Sequence, residues 1–209
     1  MIIGICGLIG SGKDSIASYL EETHNFTRLN FSAKLKEACA IIFDWDIDML
    51  NGLTKAARDQ RELVDDWWSE KLGIDDLSPR KALQLIGTEV FRQNFSDNIW
   101  VAAVERTITK HQHVILSDVR FPNEIAMIRN VGGQMWRVSR KEMPDWYTYI
   151  MANEHETIAD YMKTYHPDVH PSEWSWIRES FDQDLANRGT LDDLYQAAAD
   201  LLPRDVICQ

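Results

Sequence analysis

The chain has 209 residues, 44% of them hydrophobic and 26% charged, which is enough for one sizeable core but short for two full domains. A formal charge of −11 excludes a general nucleic-acid binder, because polymer and protein would repel; a small anion needs only a local cluster of Arg, Lys and backbone N–H groups. No apolar run approaches the roughly 18 residues of a membrane span, and no signal peptide is read before the apolar run that follows Met1, so a cytoplasmic protein is expected.

Ile2–Cys6 reads as a buried strand, Gly7–Gly12 as a glycine-rich loop and Lys13–Glu22 as a helix with Ile16 and Leu20 on one face. Thr27, Leu29 and Phe31 alternate with polar residues as a short second strand. Ala33 to Phe43 follows as a helix with Leu35, Cys39 and Ile42 on one side. Residues 44–77 are acidic, rich in tryptophan (Trp45, Trp67, Trp68) and broken by Gly52 and Gly73, which suggests a mostly helical insertion. Ser78-Pro79 opens a new helix, since Ser caps and Pro suits the first helical position; it should run to about Asn94, and another from Asn98 to Lys110.

Further along, Val114-Ile115-Leu116 is a strand run that ends at Asp118. The helix after Pro122 stops at Gly132-Gly133, and Gln134–Ser139 supplies a further strand. Residues 141–179 show no clean period. A strand near Phe181–Leu185 precedes Thr190 as N-cap of a closing helix with the stripe Leu191, Leu194, Tyr195, Ala198 and Leu201. Alternating strands and helices imply an α/β protein with a parallel sheet and crossover helices. Cys6, Cys39 and Cys208 lie far apart without CxxC spacing, as reduced structural thiols do. His166 and His170 stand four apart, but Pro167 and Pro171 interrupt any helix that would align them on a metal, and His155-Glu156 lacks a second histidine.

Gly7-Leu8-Ile9-Gly10-Ser11-Gly12-Lys13 fits G-x-x-x-x-G-K between a strand and a helix, where a phosphate-binding loop must lie. Gly10, Ser11 and Gly12 let successive N–H groups turn around a phosphate, and Lys13 reaches its β and γ oxygens. Asp14 occupies the place where Ser or Thr usually holds Mg²⁺, and Ser15 follows. Asp14 is either a hard ligand for Mg²⁺ or a helix-start residue favoured by the dipole, and the sequence leaves both open. GTPase signatures are missing: no N-K-x-D follows, and the third strand ends in Asp118-Val119-Arg120.

The order Gly-x4-Gly-Lys-Asp-Ser, Phe31-Ser32-Ala33-x2-Lys36, Arg80-x3-Gln84-x2-Gly87-Thr88-Glu89 and Asp118-x-Arg120-x3-Glu124 resembles the deoxynucleoside monophosphate kinases of tailed bacteriophages. His170-x-Ser172-Glu173 and Asn187-x-Gly189-Thr190 are similar to that family too. The resemblance implies a P-loop, nucleoside-monophosphate-kinase-like fold in three layers, with a five-stranded parallel core, a helical acceptor-binding insertion and a lid. It implies core segments 1–43, 111–140 and 180–209, a helical region 44–110 and a lid region 141–179. It further implies ATP as donor, Mg²⁺, a deoxynucleoside monophosphate as small-molecule acceptor, and a host's cytoplasm as the setting for a phage-encoded chain. A homodimer is left open. Rival readings are a phosphomevalonate or dephospho-coenzyme A kinase of the same fold, and a nucleotide-binding module without turnover.

Phosphoryl transfer needs positioning and charge neutralisation around two anions. Lys13 would serve the donor; Lys36, Arg80 and Arg120 are candidates for the acceptor phosphate and the transferring group. Arg120 follows a buried strand, where open α/β sheets bind ligands, and Arg80 begins a helix seven residues before Gly87. A glycine within a helix costs about 1 kcal/mol, so close approach of substrate or another backbone is expected there. Asp118 could hold Mg²⁺ through water or orient Arg120 or a sugar. Gln84 and Thr88 could read the acceptor, and Trp100 could stack on its base. Of Arg137 and Arg140, Arg140 is the expected lid arginine. Asn187 and Thr190 would lie near adenine. Glu124, His170 and Glu173 enter as acceptor-site residues through the resemblance alone.

Overall fold

The computed structural model describes residues 1–140, 142–153 and 157–207. His155, Glu156 and Cys208 lie outside them. The chain divides into two compact units, residues 1–30 with 105–209, and residues 31–104.

The first unit is built on five parallel strands: β1 (Ile2–Cys6), β2 (Thr27–Leu29), β3 (Val114–Leu116), β4 (Gln134–Arg140) and β5 (Gln183–Asn187), in the order β2-β3-β1-β4-β5. Central β1 pairs Gly4 with Leu116 on one side and with Met135 on the other. Strands covered on both faces read as continuous apolar runs, which is why Ile2–Cys6 and Val114–Leu116 were legible. One face carries Ile3, Ile5, Trp136, Val138 and Leu185. It packs on Ile16, Ala17 and Leu20 of α1 (Lys13–Thr23) and on Leu194 and Ala198 of α11 (Leu191–Ala199). The other face receives α8 (Pro122–Asn130), whose Ile128 comes so close over Gly4 that no side chain fits there. The result is the expected three-layer α/β architecture, with each fully buried Ile or Leu contributing about 1.5–3 kcal/mol.

Residues 141–179, which show no clean period in the sequence, contain α9 (Asp145–Ala152), α10 (Ile158–Tyr165) and a 3₁₀ turn at Pro171–Glu173. Helices this short repeat their apolar face barely twice: Tyr147 and Ile150 are buried on α9 and Met162 on α10. The last strand also sits two residues later than expected, and Leu191 is exposed at the start of α11 rather than part of its stripe.

The second unit holds α2 (Ala33–Phe43), α3 (Ile47–Asn51), α4 (Lys55–Gln60), α5 (Asp66–Leu72) and α6 (Pro79–Gln84). A π-helical continuation follows at Leu85–Gln93, then α7 (Ile99–Ile108), which runs past the unit's end. The unit begins at Phe31, not at residue 44, so α2 joins the helical region. The segment 44–77 is made helical by caps more than by period. Asp46, Thr54 and Asp65 each accept backbone N–H bonds at a helix start, and Gly52 and Gly73 end α3 and α5. Trp45 and Trp68 pack around Phe43, which stacks on Trp45 at 4.3 Å and meets Trp68 edge-on at 4.9 Å, while Trp67 is exposed. Phe43 takes the buried position assigned to Ile42, which is 59% exposed. Cys6 and Cys39 are buried free thiols, and burial pushes Cys39 up to about 11 and Cys6 higher still, so neither is a ready nucleophile.

Candidate active site

At the end of β1 the chain turns through the phosphate loop into α1, a helix with no side-chain cap at its amino terminus. Gly12 has φ 111°, and a β-carbon there would come within 2.7 Å of Asn187 Nδ2 and 2.9 Å of Leu194 Cδ2. Only glycine fits this left-handed, crowded position. Asn187 Nδ2 donates to Ser11 O at 2.8 Å, so the end of β5 holds the loop in place. Ser11 Oγ is buried without a hydrogen-bond partner among the described residues. Lys13 Nζ folds back onto Gly7 O at 2.8 Å and Leu8 O at 2.9 Å. Burial lowers its pKa, and the Arg120 charge lowers it further.

Asp14 is exposed, but its carboxylate is not bare. Its Oδ1 accepts from Ser117 Oγ at 2.9 Å and pairs with Arg28 Nη2, which also donates to Ser117 Oγ at 2.8 Å. Sequence reasoning missed both partners. Ser117 simply follows the buried β3, and Arg28 is one polar residue on the short β2. Its signal, a cation between Thr27 and Leu29, is too common to single out.

Arg120 is positioned from two directions. Its backbone N–H and that of Phe121 donate to Glu124 Oε2 at 2.8 and 3.2 Å, fixing the turn before α8. Its Nη1 donates to Glu173 Oε1 at 2.6 Å and Ser172 Oγ at 3.1 Å. His170 Nδ1 in turn accepts from the Ser172 amide at 3.2 Å. The block His170–Glu173, joined to the site only by resemblance, is therefore the clamp that holds Arg120. Glu124 is 2% exposed and engaged with its own helix start, so it orients Arg120 and does not itself face an acceptor. Asp118 is half-buried two residues before Arg120.

A cleft of about 280 Å³ opens in front of the loop, lined among others by Leu8, Ser11, Arg140, Trp146 and Glu173. Arg140 also borders a second cleft of about 330 Å³ with Arg137, Tyr147, Asp184 and Arg188. Arg137 is fixed there by Asp184, with Nη2 to Oδ2 at 2.8 Å, which leaves Arg140 as the arginine facing open space. Thr190, expected beside adenine, caps α11. Its hydroxyl accepts from the Asp193 amide at 3.2 Å and donates to the Asp193 carboxylate at 2.8 Å.

The remaining candidates lie in the helical unit. Arg80 and Gln84 are exposed on α6, Lys36 is half-buried on α2, and Thr88 is half-buried on the π-helical segment. Two expectations are corrected here. A β-carbon on Gly87 would stand 2.5 Å from Leu35 Cδ2, so this glycine admits a neighbouring side chain, not a substrate or a backbone. Trp100 is a core residue, 7% exposed, with Nε1 donating to Gly87 O at 3.0 Å and its ring against Phe91 at 5.1 Å, so its face is not open to a base.

A protein of Acanthamoeba polyphaga mimivirus named as a deoxynucleotide monophosphate kinase is 29% identical over 210 residues, covering 93% of this chain and 92% of its own. The chain resembles deoxynucleoside monophosphate kinases nearly end to end. The deoxynucleoside-5'-monophosphate kinase of Escherichia phage T5 is 27% identical over 183 residues, covering 62% of this chain and 72% of its own. The likeness therefore reaches beyond bacteriophages. No model of a known protein family matches the chain. Among solved structures, the dephospho-CoA kinase from Campylobacter jejuni is 12% identical with a TM-score of 0.49, covering 98% of this chain and 96% of its own.

Proposed function

We propose that the protein transfers the γ-phosphoryl group of ATP to a deoxynucleoside 5'-monophosphate, giving the diphosphate and ADP. The observation that carries this reading is a phosphate loop with a retained Lys13 and a second cation, Arg120, clamped by Glu173, which lines the same cleft as Leu8 and Ser11 of the loop. A module that only senses a nucleotide needs the loop; a phosphotransferase needs cations for two anions. The acceptor class follows the names of the two relatives.

The backbone of Gly10, Ser11 and Gly12 and the first turn of α1 would cradle the β-phosphate, with Ser11 Oγ gaining the partner it lacks. Lys13 would leave its two carbonyl acceptors for phosphate oxygens, which favour the charged state that burial disfavours. Arg120 and Arg140 would neutralise the charge that spreads over the transferring group, while Ser172 and Glu173 limit Arg120 to one approach. The acceptor phosphate is already ionised at neutral pH, so no strong general base is required. When bound with the donor, Mg²⁺ would supply charge neutralisation to the phosphates. An exposed carboxylate next to a hydroxyl on the first turn of α1 offers it the hard oxygens it takes. Asp14, oriented by Ser117 and Arg28, would hold it together with Ser15, and Asp118 is the further candidate through water.

ADP release measured with ATP and Mg²⁺ against dAMP, dGMP, dCMP, dTMP and the four ribonucleotides tests the reading. Turnover with at least one deoxynucleotide is expected. ATP binding without turnover of any of the eight would move the acceptor to another chemical class.

A further inference from the structure

We propose that Arg28 is a resident stand-in for the divalent metal. It neutralises Asp14 before nucleotide binds, and it keeps a free divalent cation off that carboxylate until the donor brings one. The role deepens the function proposed above and rests on it. The position after the loop lysine, where a neutral Ser or Thr usually stands, holds Asp14. The exchange adds a negative charge on the first turn of α1, next to Lys13, where the donor phosphates would lie. A bare carboxylate there would repel the donor whenever metal is scarce. The sheet supplies the opposite charge. Arg28 is the middle residue of β2, which pairs with β3, and β3 leads directly into Ser117. Arg28 Nη2 pairs with Asp14 Oδ1 and donates to Ser117 Oγ at 2.8 Å, and Ser117 Oγ donates to the same Oδ1 at 2.9 Å. The three groups close a triangle on one carboxylate oxygen.

Several features set this pair apart from an ordinary surface ion pair. The Arg28 side chain is 17% exposed and that of Asp14 76%, so the cation approaches from the protein side and the carboxylate stays open to solvent. Arg28 Nε is buried with no hydrogen-bond partner among the described residues, and Nη1 reaches Ser18 Oγ at a long 3.4 Å. The guanidinium therefore gives up hydration in order to meet Asp14, its one ion-pair partner among the described residues. Both donors fall on Oδ1, which leaves Oδ2 to a cation that arrives with the donor. Arg28 and a divalent ion thus compete for one carboxylate. Without nucleotide, a metal there would sit against a fixed positive charge. With nucleotide, the phosphates add enough negative charge to hold both cations.

The test is a pair of titrations at low salt on the whole protein. One is metal-free ATP with a chelator present, read by calorimetry. The other is Mn²⁺ without nucleotide, read from the electron paramagnetic resonance of the free aqua ion; Mn²⁺ takes the same hard oxygen ligands as Mg²⁺. Asp14→Asn, measured alongside, gives the Mn²⁺ held by other carboxylates. Arg28→Gln should weaken metal-free ATP by roughly three- to tenfold and strengthen Mn²⁺ by a similar factor, as loss of one partly screened charge does. Arg28→Lys should fall between. A role confined to tying β2 to α1 would move both affinities the same way or neither. That result in a folded Arg28→Gln protein overturns the proposal. Should Arg28→Gln fail to fold, wild type against Asp14→Asn decides. Without nucleotide the two should hold Mn²⁺ equally; with ADP, wild type should hold it more tightly. Tighter Mn²⁺ on the nucleotide-free wild type, or no difference with ADP, overturns the proposal and leaves ATP as donor. Wild type that binds ATP neither with nor without metal overturns the function itself.

Discussion

In the sheet-bearing unit the cations stand where topology delivers them: Lys13 after β1, Arg120 after β3, Arg140 at the end of β4. In the helical unit, Arg61 follows one short helix and Arg80 begins another, and their places depend on side-chain caps and on one backbone bond. A parallel sheet gathers the carboxyl ends of its strands at one edge whatever the loops contain, so a site built there follows from strand order. Helices of five to seven residues have no such rule. Their arrangement follows packing around Phe43 and Leu50, and a site made from them is visible only once they are packed.

The comparison can be broken or sharpened by substitution. The largest effect belongs to the sheet-bearing unit. Lys13→Met should lower kcat on the order of 10²–10³-fold, as removal of a preorganised electrostatic donor does, with the melting temperature unchanged or raised. The sign on stability follows from linkage. Lys13 binds its proton less tightly folded than unfolded, so as pH rises from its depressed pKa toward the ordinary lysine value the ligand-free wild type should gain stability. The Met variant should lack that gain. Near-normal kcat would remove the phosphate loop from the mechanism.

An intermediate effect is expected in the helical unit. Gly87→Leu forces a side chain into the space of Leu35 and should destabilise by about 1–3 kcal/mol, read from denaturant unfolding. If Gly87 instead met substrate, stability would hold and acceptor KM alone would rise. The smallest effect returns to the first unit. Thr190→Ala should lower the melting temperature by about 2–4 °C through loss of the α11 cap. Two bonds from Thr190 hold the Asp193 carboxyl below the usual range. The contribution is therefore full above the unfolded carboxyl pKa and is lost as pH falls through the depressed folded one. The gap between wild type and variant should narrow in acid without closing, since the bond the hydroxyl accepts from the Asp193 amide does not depend on the carboxyl. A gap of constant size would mean the hydroxyl does not act through the Asp193 carboxylate.

The sequence alone determined the parallel α/β class, the phosphate loop and the helices whose caps are written locally, such as Ser78-Pro79 and Thr190. These depend on residues close in the chain: glycines that permit a turn, hydroxyls that reach N–H groups three residues on, apolar runs long enough to show a period. Tertiary structure alone decided that Glu173, 53 residues from Arg120, is its clamp, that Arg28 and Ser117 share Asp14, that Trp100 turns inward and that Arg61 lies beside Arg80. Each is a contact between segments distant in the chain. Which Arg meets which carboxylate, or meets none, depends on how distant segments pack, and local patterning does not encode it.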